Sequence, residues 1–339
     1  MKHRCIGAGI FVLFGFVLAC ESAELQLDAG ADGGAGAGGA GGVGGTDGGG
    51  STPGPGGLSG SASDSGSPVH ADAPAPEPVG FTMTESGGYK LGDPITADTT
   101  MDPSGGGGQT CNAIVAIVRD FRGIKETNGH PDFESFEGRG KTIGLVGADL
   151  GPDKKPVYAS KCEANAAKDA TCPSSQMTTS KARFDEWYRN VDTVNQAFKL
   201  EILLAPGAGG VATFNSAHYF PLGDKGWGYS GKDDTGANQN FGFTTEIHTT
   251  FKYNGGESFT FVGDDDLWVF INGKLAIDIG GLHYPETGSV NLDQAAATLG
   301  ISKGNVYPMD LFQAERHSIG SDVRIDTNFT FVNCGVLIP

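Results

Sequence analysis

Apolar and polar residues alternate strictly along three stretches of the chain. Phe241, Phe243, Thr245, Ile247, Thr249 and Phe251 interleave with Gly242, Thr244, Glu246, His248, Thr250 and Lys252. Phe198, Leu200, Ile202 and Leu204 repeat the pattern around Lys199 and Glu201. So do Val323, Ile325, Thr327, Phe329 and Phe331 around Arg324, Asp326, Asn328 and Thr330. Period two puts alternate residues on opposite faces of a strand, so each stretch predicts a strand with one buried face and one polar face. LWVFI, Leu267 to Ile271, is apolar on both faces and predicts a strand covered on both sides. Asn272-Gly273 then supplies the two positive-φ residues of a tight hairpin, returning as KLAIDI. The best short helix is FDEWYRN near Phe184. Many short strands, Gly-rich turns and few helices predict a mainly β fold, an antiparallel β-sandwich.

The alternation is absent upstream. From about Ala29 to Pro78 the chain is Gly, Ala, Ser, Asp and Pro, and this tract holds much of the total of 56 glycines. It lacks the apolar side chains that would offset ordering entropy, which predicts a disordered tether. A Gly-rich linker of ~50 residues has a root-mean-square reach of roughly 40 Å. Ahead of it stand Lys2, His3 and Arg4, then an apolar core from Ile10 to Leu18 that is too short to span a bilayer. The core ends in VLAC, which resembles the bacterial lipobox. That resemblance implies cleavage before Cys20 and acylation of Cys20, a stable lipid anchor. Glu21 stands where lipoproteins kept in the inner membrane usually carry Asp, which implies the outer membrane. The alternative is a plain signal peptide with an incidental Cys. The expected organisation is a leader over 1–19, a linker over 20–80, a short β segment over 81–110 and a sandwich over 111–335. The segment FTMTESGGYKLGDPI from Phe81 reads as a small strand pair or an edge extension.

With Cys5 in the leader and Cys20 at its end, Cys111, Cys162, Cys172 and Cys334 are left, an even set of four. Three pairings are possible. Cys162 and Cys172 could close a local loop, and Cys111 and Cys334 bracket the folded part, so this connectivity is the expected one. A zinc site is the rival, without CxxC spacing or a nearby His pair to support it. A net charge of -17, from 23 Lys and Arg against 40 Asp and Glu, argues against nucleic acid and against electrostatic binding to anionic lipid.

One stretch resists a reading by stability alone. In FVGDDDLWVFINGKLAID three carboxylates, Asp264, Asp265 and Asp266, lie between two apolar runs, where each charge repels its neighbours. Calcium takes six to eight oxygen ligands, and such a turn could supply two or three of them. The bland alternative is a solvated loop. Asp233 and Asp234, in GKDDTGANQN, form a second acidic pair with no hairpin behind it and read as a solvated turn.

RDF at Arg119, HPDFE at His130, FDEWY at Phe184, FGFTTEI at Phe241, FVGDDDLWVFINGKLAIDIGGLH at Phe261 and FQAERHS at Phe312 together resemble the fibro-slime domain of bacteria and slime moulds. That domain is grouped with the β-sandwich first seen in anthrax protective antigen, the PA-fourteen domain, and the resemblance spans Asn112 to Val332. It implies an extracellular matrix or adhesive module, often tied to carbohydrate. In the wider superfamily an Asp-Asp pair before this hairpin chelates calcium, which in turn holds sugar hydroxyls. Counted back from the turn, the pair falls on Asp264 and Asp265, but Asp266 occupies a position that is commonly Gly, so all three, Asp264, Asp265 and Asp266, stand as candidate ligands and which two chelate stays open.

Trp227 and Tyr229, in DKGWGYSGK, are candidate rings for stacking on sugars, against the alternative that they cover the core edge. His283, in GGLH, could approach the same rim or be a satisfied loop histidine. Glu315, Arg316 and His317 suggest acid–base chemistry, but an Arg–carboxylate pair that organises the fold is the better reading. Asp132 and Glu134 are similar candidates for internal pairing. No nucleophile motif or phosphate loop is present, and a glycosidase would need two carboxylates across a cleft. The leading expectation is a lipid-anchored surface protein that binds glycan or matrix polysaccharide with calcium, not an enzyme. A self-associating or protein-binding matrix protein is the runner-up, and a surface hydrolase the third reading.

Overall fold

The computed structural model describes residues 80–96, 111, 113–136, 140–159 and 177–338. The leader, Cys20, almost all of the linker, Cys162 and Cys172 lie outside them. Along the chain run β1 (Thr82–Met83), β2 (Gly88–Pro94), β3 (Ala113–Phe121), α1 (Lys181–Phe184), β4 (Asn195–Leu203), β5 (Ala205–Pro206) and β6 (Ala212–Ser216). Then come β7 (Gly231–Lys232), β8 (Asn238–Gln239), β9 (Phe243–Tyr253), β10 (Ser258–Gly263), β11 (Asp266–Ile271) and β12 (Lys274–Ile279). The chain continues through β13 (Glu286–Asn291), α2 (Leu292–Leu299), β14 (Asn305–Glu315), β15 (Val323–Thr327) and β16 (Thr330–Asn333).

All strand pairings between these elements are antiparallel. One sheet runs β1-β2-β4-β3-β9-β14-β11-β12, with β16 also on β9; the second runs β13-β10-β15-β6-β5. The two share one apolar core. Leu200, Ile247, Leu267, Val269 and Leu311 of the first sheet pack with Phe214, Phe259, Phe261 and Ile325 of the second. The fold is a β-sandwich, as the period-two pattern predicts. The segment from Phe81 forms β1 and β2, which extend the large sheet alongside β4. Asn272 and Gly273 take φ of 53° and 73° and turn β11 into β12. β11 is buried along its whole length, with Leu267, Val269 and Ile271 in the inter-sheet core and Trp268 and Phe270 on the outer face.

Three expectations need correction. The alternation from Val323 to Phe331 does not form one strand: β15 belongs to the small sheet and β16 to the large one, with the chain crossing at Asn328–Phe329. The helix near Phe184 ends there instead of starting there, because Ser180 caps its N-terminus by accepting the Arg183 amide. Third, the polar face of β9 is not solvated. Phe121, Phe133, Leu145, Trp187 and Tyr188 form a second core over the outer face of the large sheet, and Glu246 and His248 lie beneath that layer, 1% and 4% exposed. Their charges are matched in place. Arg119 Nη1 lies 2.6 Å and Lys155 Nζ 2.5 Å from the Glu246 carboxylate, and His248 bridges Glu246 and Asp310.

Candidate acidic site at the end of the sandwich

The acidic triplet, the GGLH loop and the ERH segment are far apart in sequence and meet at the end of β11. Asp264 and Asp265, joined by a cis peptide, precede the strand, and Asp266 is its first residue. β14 pairs with β11 in a register that sets Ala314 opposite Asp266, so Glu315 and Arg316 emerge beside the triplet. β12 leads into Gly280-Gly281-Leu282-His283. At Gly281 the backbone has φ of 107°, a conformation open to glycine, and its N–H donates to Asp266 Oδ1 at 2.6 Å. The His283 N–H donates to Asp265 Oδ1 at 3.3 Å, and the Arg316 N–H to Asp265 Oδ2 at 3.1 Å. The Asp322 N–H donates to Asp264 Oδ1 at 2.7 Å.

Arg316 settles the fate of Asp266. Its Nε donates to Asp266 Oδ2 at 2.6 Å with both side chains fully buried. Its Nη1 reaches the carbonyls of Asp132 and Met177, and the guanidinium lies 4.5 Å from the Trp187 ring centroid. Asp132 in turn accepts from Thr179 and from Trp187 Nε1. Glu134 accepts from the backbone and hydroxyl of Ser318. The HPDFE and FDEWY motifs therefore hold the arginine, and the arginine holds the triplet.

Asp264 and Asp265 line a cavity of about 450 Å³ together with Asp234, Asp322, Leu282, His283, Tyr284, Pro285 and residues 317–320. No Lys or Arg is among these lining residues. Burial pushes the Asp264 carboxyl up to about 6, with repulsion from Asp322 adding to the rise. Burial also raises Asp265 well above the usual carboxylate range, with Asp266 and Asp264 repelling it further, against the pull of Arg316. Asp322 is raised as well, by burial first. The lining carboxylates, with no Lys or Arg facing them and with both His283 ring nitrogens held by carbonyls, suit a hard divalent ion such as calcium better than zinc, although no three of them bring ligand atoms within 4.8 Å of one another. Asp264 and Asp265 are the residues that would hold it.

The structure sorts the candidate residues. Asp266 faces Arg316 and not the cavity, and the fully buried guanidinium offsets the burial of its charge; it is withdrawn from the ligand set. Trp227 and Tyr229 do not line the cavity. Trp227 is capped by Arg122, 3.3 Å from its ring centroid, and its amide is held by Asp120, so it closes an edge of the fold. Tyr229 is 53% exposed but elsewhere on the surface. His283 does line the cavity, with its ring nitrogens on the Ile279 and Tyr284 carbonyls. Among the described residues, His218, Asp233 and Asp234 bring three ligand atoms within 4.8 Å of one another. Asp233, however, already accepts from Thr235, Ala237 and Gln239, as a turn-capping residue does. The aromatic ring at the acidic cavity is Tyr284, 66% exposed, with Ile319, 60% exposed, also lining it. Sequence reasoning passed over both. Tyr284 is adjacent to the GGLH motif, and that adjacency was the available signal. Cys111 and Cys334 form the expected disulfide.

Several curated proteins of Dictyostelium discoideum are similar to this chain. Protein psiR is 35% identical over 224 residues, 61% of this chain and 21% of its own length. Protein psiC is 33% identical over 221 residues, 62% of this chain and 41% of its own. Protein psiH is 36% identical over 214 residues, 59% and 29%. The chain thus spans less than half the length of each of these relatives. Among solved structures, a crystal structure of the PA14 domain of the MpAFP antifreeze protein aligns with TM-score 0.26 and 9% identity, covering 72% of this chain and 95% of that one. The family model that matches is the PA14 domain, over residues 187–334, a span that includes the whole acidic triplet and most of the elements around it.

Proposed function

We propose that this is a lipid-anchored surface protein whose sandwich binds glycan or matrix polysaccharide with the help of calcium. The PA14 match supports an extracellular carbohydrate-binding or adhesive role in general. The observation that carries the finer reading is the cavity itself: Asp234, Asp264, Asp265 and Asp322 face one space without a cationic side chain, and the exposed Tyr284 ring lies at its edge. Calcium bound there would supply a hard centre with open positions for vicinal hydroxyls. The protein's own part is to hold Asp264 and Asp265 by backbone N–H groups and to offer Tyr284 as an apolar face for a sugar ring. The role is binding, not catalysis. A net charge of -17 suits a neutral or calcium-bridged glycan and not a nucleic acid.

A glycan array probed with the mature protein tests this. Binding is expected to vanish with a calcium chelator and in Asp264→Ala, and to weaken several-fold in Tyr284→Ala. Array hits that survive the chelator contradict the calcium link. For the anchor, Cys20→Ala is expected to leave an unprocessed or soluble form; a variant that still fractionates with the outer membrane overturns it.

A further inference from the structure

Three consecutive amides of the GGLH loop reach three different partners. The Gly281 N–H donates to Asp266 Oδ1 and the His283 N–H to Asp265 Oδ1. The amide between them, on Leu282, donates to a thioether, Met177 Sδ, at 3.0 Å. Thr142 Oγ1 donates to the same sulfur at 3.2 Å. Met177 and Leu282 are both buried, and a buried amide left without an acceptor is costly. Met177 also reaches the other donor to Asp265. Its carbonyl accepts from Arg316 Nη1 at 2.7 Å, and the Arg316 amide donates to Asp265 Oδ2 at 3.1 Å. The sulfur and the carbonyl of one residue thus hold both chain segments whose N–H groups orient Asp265. Met177 is anchored in turn by the residues after it. Thr178 Oγ1 lies 2.8 Å from the Tyr158 hydroxyl, and Thr179 donates to Asp132 through its amide and its hydroxyl. The carbonyls of the loop are pinned separately, Gly280 by the Thr142 amide and Leu282 by the Gly140 amide.

We propose that Met177 is a positioning residue for the cation site: its sulfur fixes the segment from Leu282 to Tyr284, and with it the His283 amide on Asp265 and the Tyr284 ring at the cavity. This inference rests on the reading that Asp264 and Asp265 hold calcium. Groups behind a metal ligand set its orientation, and their loss weakens metal binding by about tenfold or more. Leucine is close to methionine in volume but offers no acceptor. Met177→Leu therefore keeps the packing and removes the partner of the Leu282 amide, and the loop shifts to pair it again.

The test is a competition titration of calcium between the full chain and a chromophoric chelator, with hydrogen exchange of the loop amides measured alongside. Met177→Leu is expected to bind calcium about tenfold more weakly than wild type. It should lose exchange protection at residues 281–283 while β11 and β14 keep theirs. Met177→Gln, which returns an acceptor at similar reach, is expected to recover most of the affinity. Wild-type affinity in Met177→Leu overturns the inference and leaves the calcium reading intact. Equal weakening in the Leu and Gln variants assigns the effect to packing and also overturns it, as does protection lost across β11 and β14 as well as the loop. Should neither variant fold, the wild type decides: slow exchange at the Leu282 amide supports the proposal, and exchange as fast as at an exposed amide overturns it. A wild-type chain that takes no calcium overturns the inference and the reading together.

Discussion

Asp264, Asp265 and Asp266 are the same residue three times, and the fold gives each a different task. Asp264 keeps one oxygen on the Asp322 amide and faces the cavity. Asp265 faces the same cavity while two backbone N–H groups, from His283 and Arg316, fix its orientation. Asp266 is fully buried against Arg316. Removing one member of a buried pair leaves the other charge uncompensated, which costs about 3–5 kcal/mol. Asp266→Ala is therefore expected to destabilise by that amount, equally in calcium and in chelator, when unfolding is followed with denaturant. Loss of a calcium-dependent stabilisation without such a cost would return Asp266 to the ligand set. The triplet was legible in the sequence as a charge problem. Its division of labour was not, because that depends on Arg316, 50 residues away, and on which face of β14 carries it.

At the scale of the element, β9 shows where pattern reading stops. The alternation of apolar and polar residues gave the strand, its length and its inward face. It could not show that a second layer covers the outward face, since Glu246 and His248 look the same in sequence whether water or Arg119 and Lys155 surround them. Burial opposes the charge on Glu246, but Arg119, His248 and Lys155 outweigh it and hold the carboxyl down to about 2, from an ordinary 4.5. Bonds to Asp310 and Glu246 raise His248 above its ordinary value despite burial. The signs follow by linkage. Stability from Glu246 is fully present above about pH 4.5 and is lost as pH falls toward about 2. Stability from His248 is present below its ordinary pKa near 6.5 and is lost as pH rises through the raised one. Glu246→Gln is expected to destabilise by about 3–5 kcal/mol at pH 6, and the gap from wild type should narrow steadily toward pH 3. Chemical denaturation across that range checks it; a gap independent of pH would mean that the carboxylate is not charged in the fold. α2, whose Leu292 and Leu299 lie in the inter-sheet core, was missed for a different reason. Its sequence LDQAAATL is short and weakly patterned, and it is set by Asn291 at one end and Gly300, with φ of 65°, at the other.

For the molecule as a whole, two sheets share one core, a second core covers the outer face of the large sheet, and Cys111, just before β3, is joined to Cys334, just after β16, across 223 residues. The sandwich, the hairpin and this bracketing pair were legible, because periodicity, turn chemistry and even cysteine counts are local or countable signals. The cavity was legible only in part. Asp264, Asp265 and His283 could be found from the motif, whereas Asp322 and Ile319 reach the cavity through the loop after β14, and no spacing rule predicts that. The central claim is that this acidic end of the sandwich binds calcium in order to bind sugar. Its most direct test is titration calorimetry of calcium into the mature wild-type protein, with Asp264→Ala alongside. The account predicts saturable binding in the range of roughly 10⁻⁴–10⁻³ M that extracellular modules show, and its loss in the variant. No heat of binding at millimolar calcium, or an unchanged isotherm in Asp264→Ala, would contradict it.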